Sequence, residues 1–205
     1  MHYFPYINRL RNALTYKDYL KKFKEKAEQS TDMNLSKTDT DKTNLTKLNF
    51  QRSNRINKTY QVSNSLCEKI KLIEKPQLWM LITEDWCGDS AQTIPYIIKI
   101  SECNPMIDVK IVFRDQNMDI MDLYLTDGKN RSIPKLVAFD QEGNELFQWG
   151  PRPSEAQELV NNAKADGKSK EEYLKELHLW YAQNRGKNIE EEFDTIFEEI
   201  LNYSS

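Results

Sequence analysis

A thiol, three carboxylates and an indole crowd into one short stretch of this chain, Thr83-Glu84-Asp85-Trp86-Cys87-Gly88-Asp89-Ser90. Residues 78–83 before Glu84 form a nearly all-apolar run, the pattern of a strand buried on both faces. Residues 85–104 carry Ile94, Ile97, Ile98 and Ile100 at helical spacing. Cys87 therefore falls at a strand-to-helix junction, in the first turn of the helix. A thiolate there meets unpaired backbone N–H groups and the positive end of the helix dipole, and both favour its charge. Trp86 is expected to shield one side and leave the sulfur accessible, with Gly88 giving a substrate chain room to approach. The chemistry open to such a group is attack on a disulfide or an oxidised cysteine.

The activation can be bounded. A helix N-terminus contributes about 0.3–1 kcal/mol at an exposed site, less than one pKa unit at about 1.36 kcal/mol per unit. Asp85 and Asp89 flank Cys87, and an exposed carboxylate at about 6 Å costs roughly 0.7 kcal/mol in water. These terms nearly cancel. The expectation is a thiol modestly more acidic than free cysteine, unless Arg131 or Arg114 folds beside it.

Other constellations carry less. Cys67, Cys87 and Cys103 lack zinc spacing, and His2 and His178 lie far off in sequence, so no metal site is expected. A Cys87–His178 dyad, as in a cysteine protease, would require folding to bring the two together. Gly143, Gly150, Gly167 and Gly186 are isolated, so no phosphate loop is present and no cofactor is expected.

The elements that must position Cys87 follow from the pattern around it. The chain has 205 residues, 39% apolar and 30% charged, with a net charge of -3. Ten Tyr, eight Phe and four Trp argue for a packed core. The charge balance gives no reason to expect nucleic acid, and no apolar run approaches the roughly 20 residues that span a bilayer. The N-terminal residues lack a secretory pattern, and three cysteines make no disulfide scaffold. Reduced thiols in a cytoplasm are the expectation.

Three segments are read. Residues 1–76 form a helical extension: Tyr16, Tyr19, Leu20 and Phe23 in one helix, a polar linker over 31–43, then Leu45, Leu48, Arg52 and Ile56 in a second helix. A third helix over 64–75 turns Leu66, Ile70 and Ile73 inward. Residues 77–166 read β-α-β-α-β-β-α, with strands over 78–83, 107–113, 133–139 and 145–149 and a short helix over 119–125. Ser154 and Gln157 stand in capping-box spacing at the last helix. Residues 167–205 form a helical hairpin: Tyr173, Leu174, Leu177, Trp180 and Tyr181 stripe one helix, and Ile189, Phe193, Ile196, Phe197 and Ile200 the other. Gly186 stops the first, Asn188 and Glu191 cap the second, and the glutamates of the second mostly face water. The fold class is α/β, a small mixed sheet covered by helices.

Over about residues 77–164 the chain resembles the thioredoxin superfamily, on Trp86-Cys87-Gly88-Asp89-Ser90 as active-site motif and Arg131-Ser132-Ile133-Pro134 as the loop carrying a cis-proline. More narrowly, Lys47-Leu48-Asn49-Phe50, Trp149-Gly150-Pro151-Arg152-Pro153 and the tail hairpin are similar to bacterial thioredoxin-like proteins with helical additions. The resemblance implies a thioredoxin fold, Cys87 as nucleophile and Pro134 in cis opposite it, with the Ile133 backbone pairing an extended substrate chain. Ser90 stands where a dithiol reductase has its second cysteine, and Leu81 where thioredoxins bury an Asp. Cys103 is sixteen residues beyond Cys87, roughly 24 Å along a helix. Cys87-Gly88-Asp89-Ser90 is also similar to the motif of monothiol glutaredoxins, though an Asp beside an anionic iron–sulfur cluster is unfavourable.

Two functions follow. One is a monothiol redox protein acting on a protein disulfide or a low-molecular-weight thiol, with Ser90 hydrogen-bonding the thiolate and Trp86 and Pro134 shaping the groove. The other is a non-catalytic binding or adaptor protein that has lost dithiol turnover.

Overall fold

The computed structural model describes residues 3–29 and 37–203. Four helices come first, α1 (Ile7–Arg11), α2 (Tyr16–Glu28), α3 (Lys37–Thr59) and α4 (Asn64–Lys71). The sheet segment runs β1 (Gln77–Thr83), α5 (Gly88–Ser101), β2 (Ile107–Phe113), α6 (Met118–Met121), β3 (Lys135–Phe139), β4 (Glu145–Trp149) and α7 (Ser154–Ala165). Helices α8 (Lys170–Asn184) and α9 (Lys187–Tyr203) complete the described chain. The sheet order is β2-β1-β3-β4. Strand β1 is central, parallel to β2 through the α5 crossover and antiparallel to β3, which turns back into β4. All seven residues of β1 are buried, as its unbroken apolar run requires.

Alternation along β1 divides the core. Trp79 and Leu81 face α5 and pack with Ile94, Ile97 and Ile100, with Tyr19 and Phe23 of α2, and with Ile189, Phe193 and Phe197 of α9. Leu78, Met80 and Ile82 face the thinner layer of Phe4, Ile7 and Leu10 with Ile120 and Met121. Cys87 belongs to this second cluster.

Several local expectations need correction. Residues 37–43, part of the anticipated polar linker, are the opening turns of α3; residues 30–36 lie outside the described chain. Once the packed half of a helix exists, polar residues extend it at little cost. The inward face of α3 is also different: Leu45 and Leu48 are exposed, while Thr46, Asn49, Ser53 and Ile56 are buried. Ser53 donates to the carbonyl of Ala91 at 3.1 Å, so α3 packs on α5 through hydrogen bonds as well as apolar contacts. The capping box at Ser154 does not form. Pro153 is the N-cap residue, and Glu192 of α9 reaches across to accept from both the N–H and hydroxyl of Ser154 at 2.7 Å. Glu192 also accepts from the Trp149 indole and so binds the sheet segment, while Glu190 accepts from the Tyr60 hydroxyl between α3 and α4, so these two glutamates do not simply face water. Asn188 lies inside α9, one residue past its start.

Cys67 and Cys103 are joined in a disulfide, with their Cα atoms 5.3 Å apart. This corrects the expectation of three reduced thiols. Helical periodicity places Cys67 on α4, but only folding brings α4 against the end of α5, where Asn104 donates to the carbonyls of Ile70 and Ile73 at 2.8 Å each. In chain-entropy terms, a link across a separation of 36 residues adds about 3–4 kcal/mol. No helix among the described residues is long and apolar enough to cross a membrane.

Helix α9 anchors on an aromatic group of Trp79, Phe147, Phe193 and Phe197, with ring centroids about 5.4–6.4 Å apart. Phe193 is fully buried at its centre. Phe193→Ala is expected to lower unfolding free energy by about 3–5 kcal/mol, read from urea denaturation. A loss below about 1 kcal/mol would mean that α9 does not pack on the sheet.

Candidate functional site

Strand β1 ends at Thr83, and the chain turns through Glu84, Asp85 and Trp86 before α5 begins. Cys87 is the N-cap residue of α5, with extended backbone (φ -79°, ψ 119°). Its Sγ donates to the carbonyl oxygen of Ile133 at 3.3 Å. The Ile133–Pro134 bond is cis, and so is Gly150–Pro151. These two loops touch: a Cβ on Gly150 (φ +109°) would stand 2.4 Å from the Pro134 carbonyl oxygen, so only glycine fits there. The sequence singles out the second loop through the narrower resemblance but gives no sign of its cis bond.

The flanking carboxylates, expected to be exposed, are both buried. Asp85 pairs with Lys26 of α2, and its carbonyl accepts from the buried Asn49 side chain at 3.3 Å. Asp89 pairs with Arg152 at 2.6 Å and accepts the Tyr181 hydroxyl at 2.8 Å. Sequence reasoning assigned no role to Lys26, Asn49, Arg152 or Tyr181. Asn49 and Arg152 do lie in segments that carried the narrower resemblance, the only signal that pointed toward them. Helices α2, α3 and α8 thus all reach the Cys87 loop.

The sulfur is enclosed. Cys87 is 9% exposed. Burial and then the neighbouring Asp89 push its thiol up to about 11, against the ordinary range of 8–9. The Ser90 side chain and the backbone N–H groups of Ser90 and Asp89 favour the thiolate but are outweighed. In the thiol form shown, the buried Ser90 hydroxyl has no partner of hydrogen-bond geometry. The expectation of a slightly acidified thiol is therefore reversed: it assumed solvent at the sulfur and at both carboxylates, and neither condition is met. Arg131 does not supply the missing cation, because its guanidinium is bound by Asp122 at 2.6 and 2.9 Å. Arg114 lies over the Trp86 ring, 5.0 Å from its centroid, and donates to the Arg131 carbonyl at 3.3 Å.

Gly88 is pressed by His178 of α8. A Cβ at Gly88 would lie 2.9 Å from the imidazole Cε1, so the room expected there for a substrate chain is occupied. His178 is held neutral, with burial and Arg52 lowering its pKa to about 4, and its buried Nδ1 has no partner. A neutral imidazole of such low basicity is a poor general base near pH 7. Among the described residues, no group of three potential ligands could hold a metal ion.

The thioredoxin family model matches residues 35–165, more than half the sequence. The chain belongs to the thioredoxin family. The match takes in α3 and α4 as well as the sheet and α7, so this thioredoxin-family region begins well before β1. Two solved structures share the fold. One is an HIV epitope-scaffold, 13% identical, with a TM-score of 0.63 over 98% of this chain and 99% of that one. The other is a protein of unknown function from Pseudomonas aeruginosa, 15% identical, with a TM-score of 0.59 over 100% of both chains. Comparison with curated proteins finds no match.

With Cys67 and Cys103 bonded, Cys87 is the free thiol and can be titrated by iodoacetamide alkylation in the oxidised protein. The native rate is expected to rise with a midpoint near 11, and Asp89→Asn to lower that midpoint by removing the like charge. In denaturant the same cysteine returns to about 8.5. A native midpoint at or below 8.5 would contradict the enclosure of the sulfur.

Proposed function

We propose that this thioredoxin-family protein exchanges thiols and disulfides through the single sulfur of Cys87. The observation that supports it is the placement of that sulfur at the N-cap of α5, 3.3 Å from the carbonyl that precedes a cis-proline. Cys87 loses its proton to solvent, and the thiolate attacks one sulfur of a substrate disulfide. A Cys87–substrate disulfide forms as the substrate's own S–S bond breaks and its second sulfur departs as thiolate. An external low-molecular-weight thiol then attacks the mixed disulfide, returning Cys87 and carrying the substrate sulfur away as a new disulfide. Oxidation state is conserved in both steps.

The residues divide the work accordingly. Ser90 cannot resolve the mixed disulfide, but its unpartnered hydroxyl is suited to donate to the thiolate once it forms. Ile133 offers its backbone to an extended substrate, which must displace the Sγ–carbonyl bond on docking. Pro134 and Trp86 shape the groove, and Gly88 keeps the loop open to backbone approach only if His178 withdraws. Asp89 acts on the thiol through its charge, Asp85 ties the loop to Lys26, and Arg131 reaches the loop through its carbonyl, which accepts from the Arg114 that covers Trp86. The proposed partner is a protein disulfide or small-thiol disulfide, and the proposed setting is cytoplasmic, where a thiol pool supplies the second step and the Cys67–Cys103 bridge must withstand that pool.

A thiol held near 11 leaves only about one molecule in 10⁴ as thiolate at pH 7. That favours a second reading, a binding or adaptor protein that keeps the thioredoxin-type groove without turnover. Insulin reduction with excess small thiol separates the two. Measurable turnover lost in Cys87→Ser supports exchange; turnover that survives in Cys87→Ser, or none at any pH up to 9, removes it and leaves the binding module.

A further inference from the structure

Tyr181, whose hydroxyl binds Asp89, also lines a cavity of about 760 Å³ formed by the end of α3, the middle of α5, the end of α8 and the start of α9. That volume is within the range of small-molecule sites. Its wall carries three cations, Arg55, Arg185 and Lys187, and one carboxylate, Glu190. Glu190 is already engaged: it accepts the Tyr60 hydroxyl and, at 3.3 Å, the backbone N–H of Ser63. Lys187 lies 3.6 Å from Glu191. The guanidinium groups of Arg55 and Arg185 have no ion pair or hydrogen-bond partner among the described residues. Both act on one aromatic wall, since each favours the ionised form of the Tyr96 phenol against its burial. Tyr60 packs edge-on to Tyr96 at 4.5 Å.

The backbone at Arg185 is an independent observation. It is the C-cap of α8 and stands in the left-handed region at φ +54°. Glycine or asparagine usually occupies such a position, because other side chains crowd the backbone there. Gly186 follows at φ +89°, and a Cβ on it would lie 2.3 Å from the Tyr96 ring. The chain therefore turns tightly over Tyr96 with an arginine where capping alone favours a smaller residue. Non-glycine residues in this conformation concentrate at ligand clamps and other functional positions.

We propose that this cavity binds a phosphate-class oxyanion, free or as the end group of a small ester, held between Arg55 and Arg185. Two forked guanidinium groups match the oxygens of a tetrahedral anion, Lys187 adds a point charge, and Tyr60 and Tyr96 offer flat walls to an attached body. This binding goes beyond thiol chemistry at Cys87 and does not require it.

Calorimetric titration of the full oxidised chain at fixed ionic strength, with inorganic phosphate in one arm and phenyl phosphate in the other, is the test. Saturable binding is expected in at least one arm, weakened tenfold or more by Arg55→Gln combined with Arg185→Asn. The second change retains a residue type tolerant of left-handed backbone, so an unchanged melting temperature verifies folding. Tighter binding of phenyl phosphate assigns the source as an ester, and equal binding assigns it as free phosphate. Cys87→Ser is expected to bind as the parent does, which separates this result from the exchange assay. No saturable binding in either arm, or undiminished binding by the double variant, overturns the proposal.

Discussion

The carboxylate of Asp89 fixes the architecture of the Cys87 region. It sits in the first turn of α5, where the helix dipole favours an anion, and it is met by Arg152 from the loop after β4 and by Tyr181 from α8. Arg152 and Asp89 are both largely buried, so neither charge tolerates loss of the other. The clamp ties the mouth of α5 to the second cis-proline loop and to α8 at once. It also changes the electrostatics of the helix end. Burial raises the Cys87 thiol most, and the positive pole that would acidify it is shared with the Asp89 carboxylate two residues away.

Much of the fold was legible because its signals are periodic and local. The apolar run of β1, the alternation of β2 and the turn before β4 place the four strands within two residues of their observed bounds. What escaped was tertiary. Asn49 and Ser53 are polar, so the pattern of α3 pointed to Leu45 and Leu48 as its inner face. The actual inner face is hydrogen-bonded to the Cys87 loop and to α5. Glu192 was read as a solvated charge because nothing local shows that it caps α7 from another helix. At the site, the positions of Cys87 and Pro134 follow from motif spacing, while the sulfur is buried in an apolar cluster that includes residues of α1, an element the sequence pattern does not show.

The helices before β1 and after α7 belong to the working shape of the protein. Both structural relatives match over essentially the whole chain despite low identity, so this arrangement of additions is shared with them. In this chain those additions supply Lys26, Asn49, His178 and Tyr181 to the surroundings of Cys87. A minimal thioredoxin-like sheet cut at β1 and α7 would expose Asp85 and Asp89 and strip the enclosure from the thiol.

The bridge between Cys67 and Cys103 has a practical corollary for anyone handling this molecule. Helix α5 carries the free sulfur at its head and a covalent staple just past its tail. Strong reductant added to keep the head group fresh also cuts the staple, so a change in behaviour after such treatment reports two events at opposite ends of one rod. Mild conditions that spare the staple are what make observations on the head interpretable.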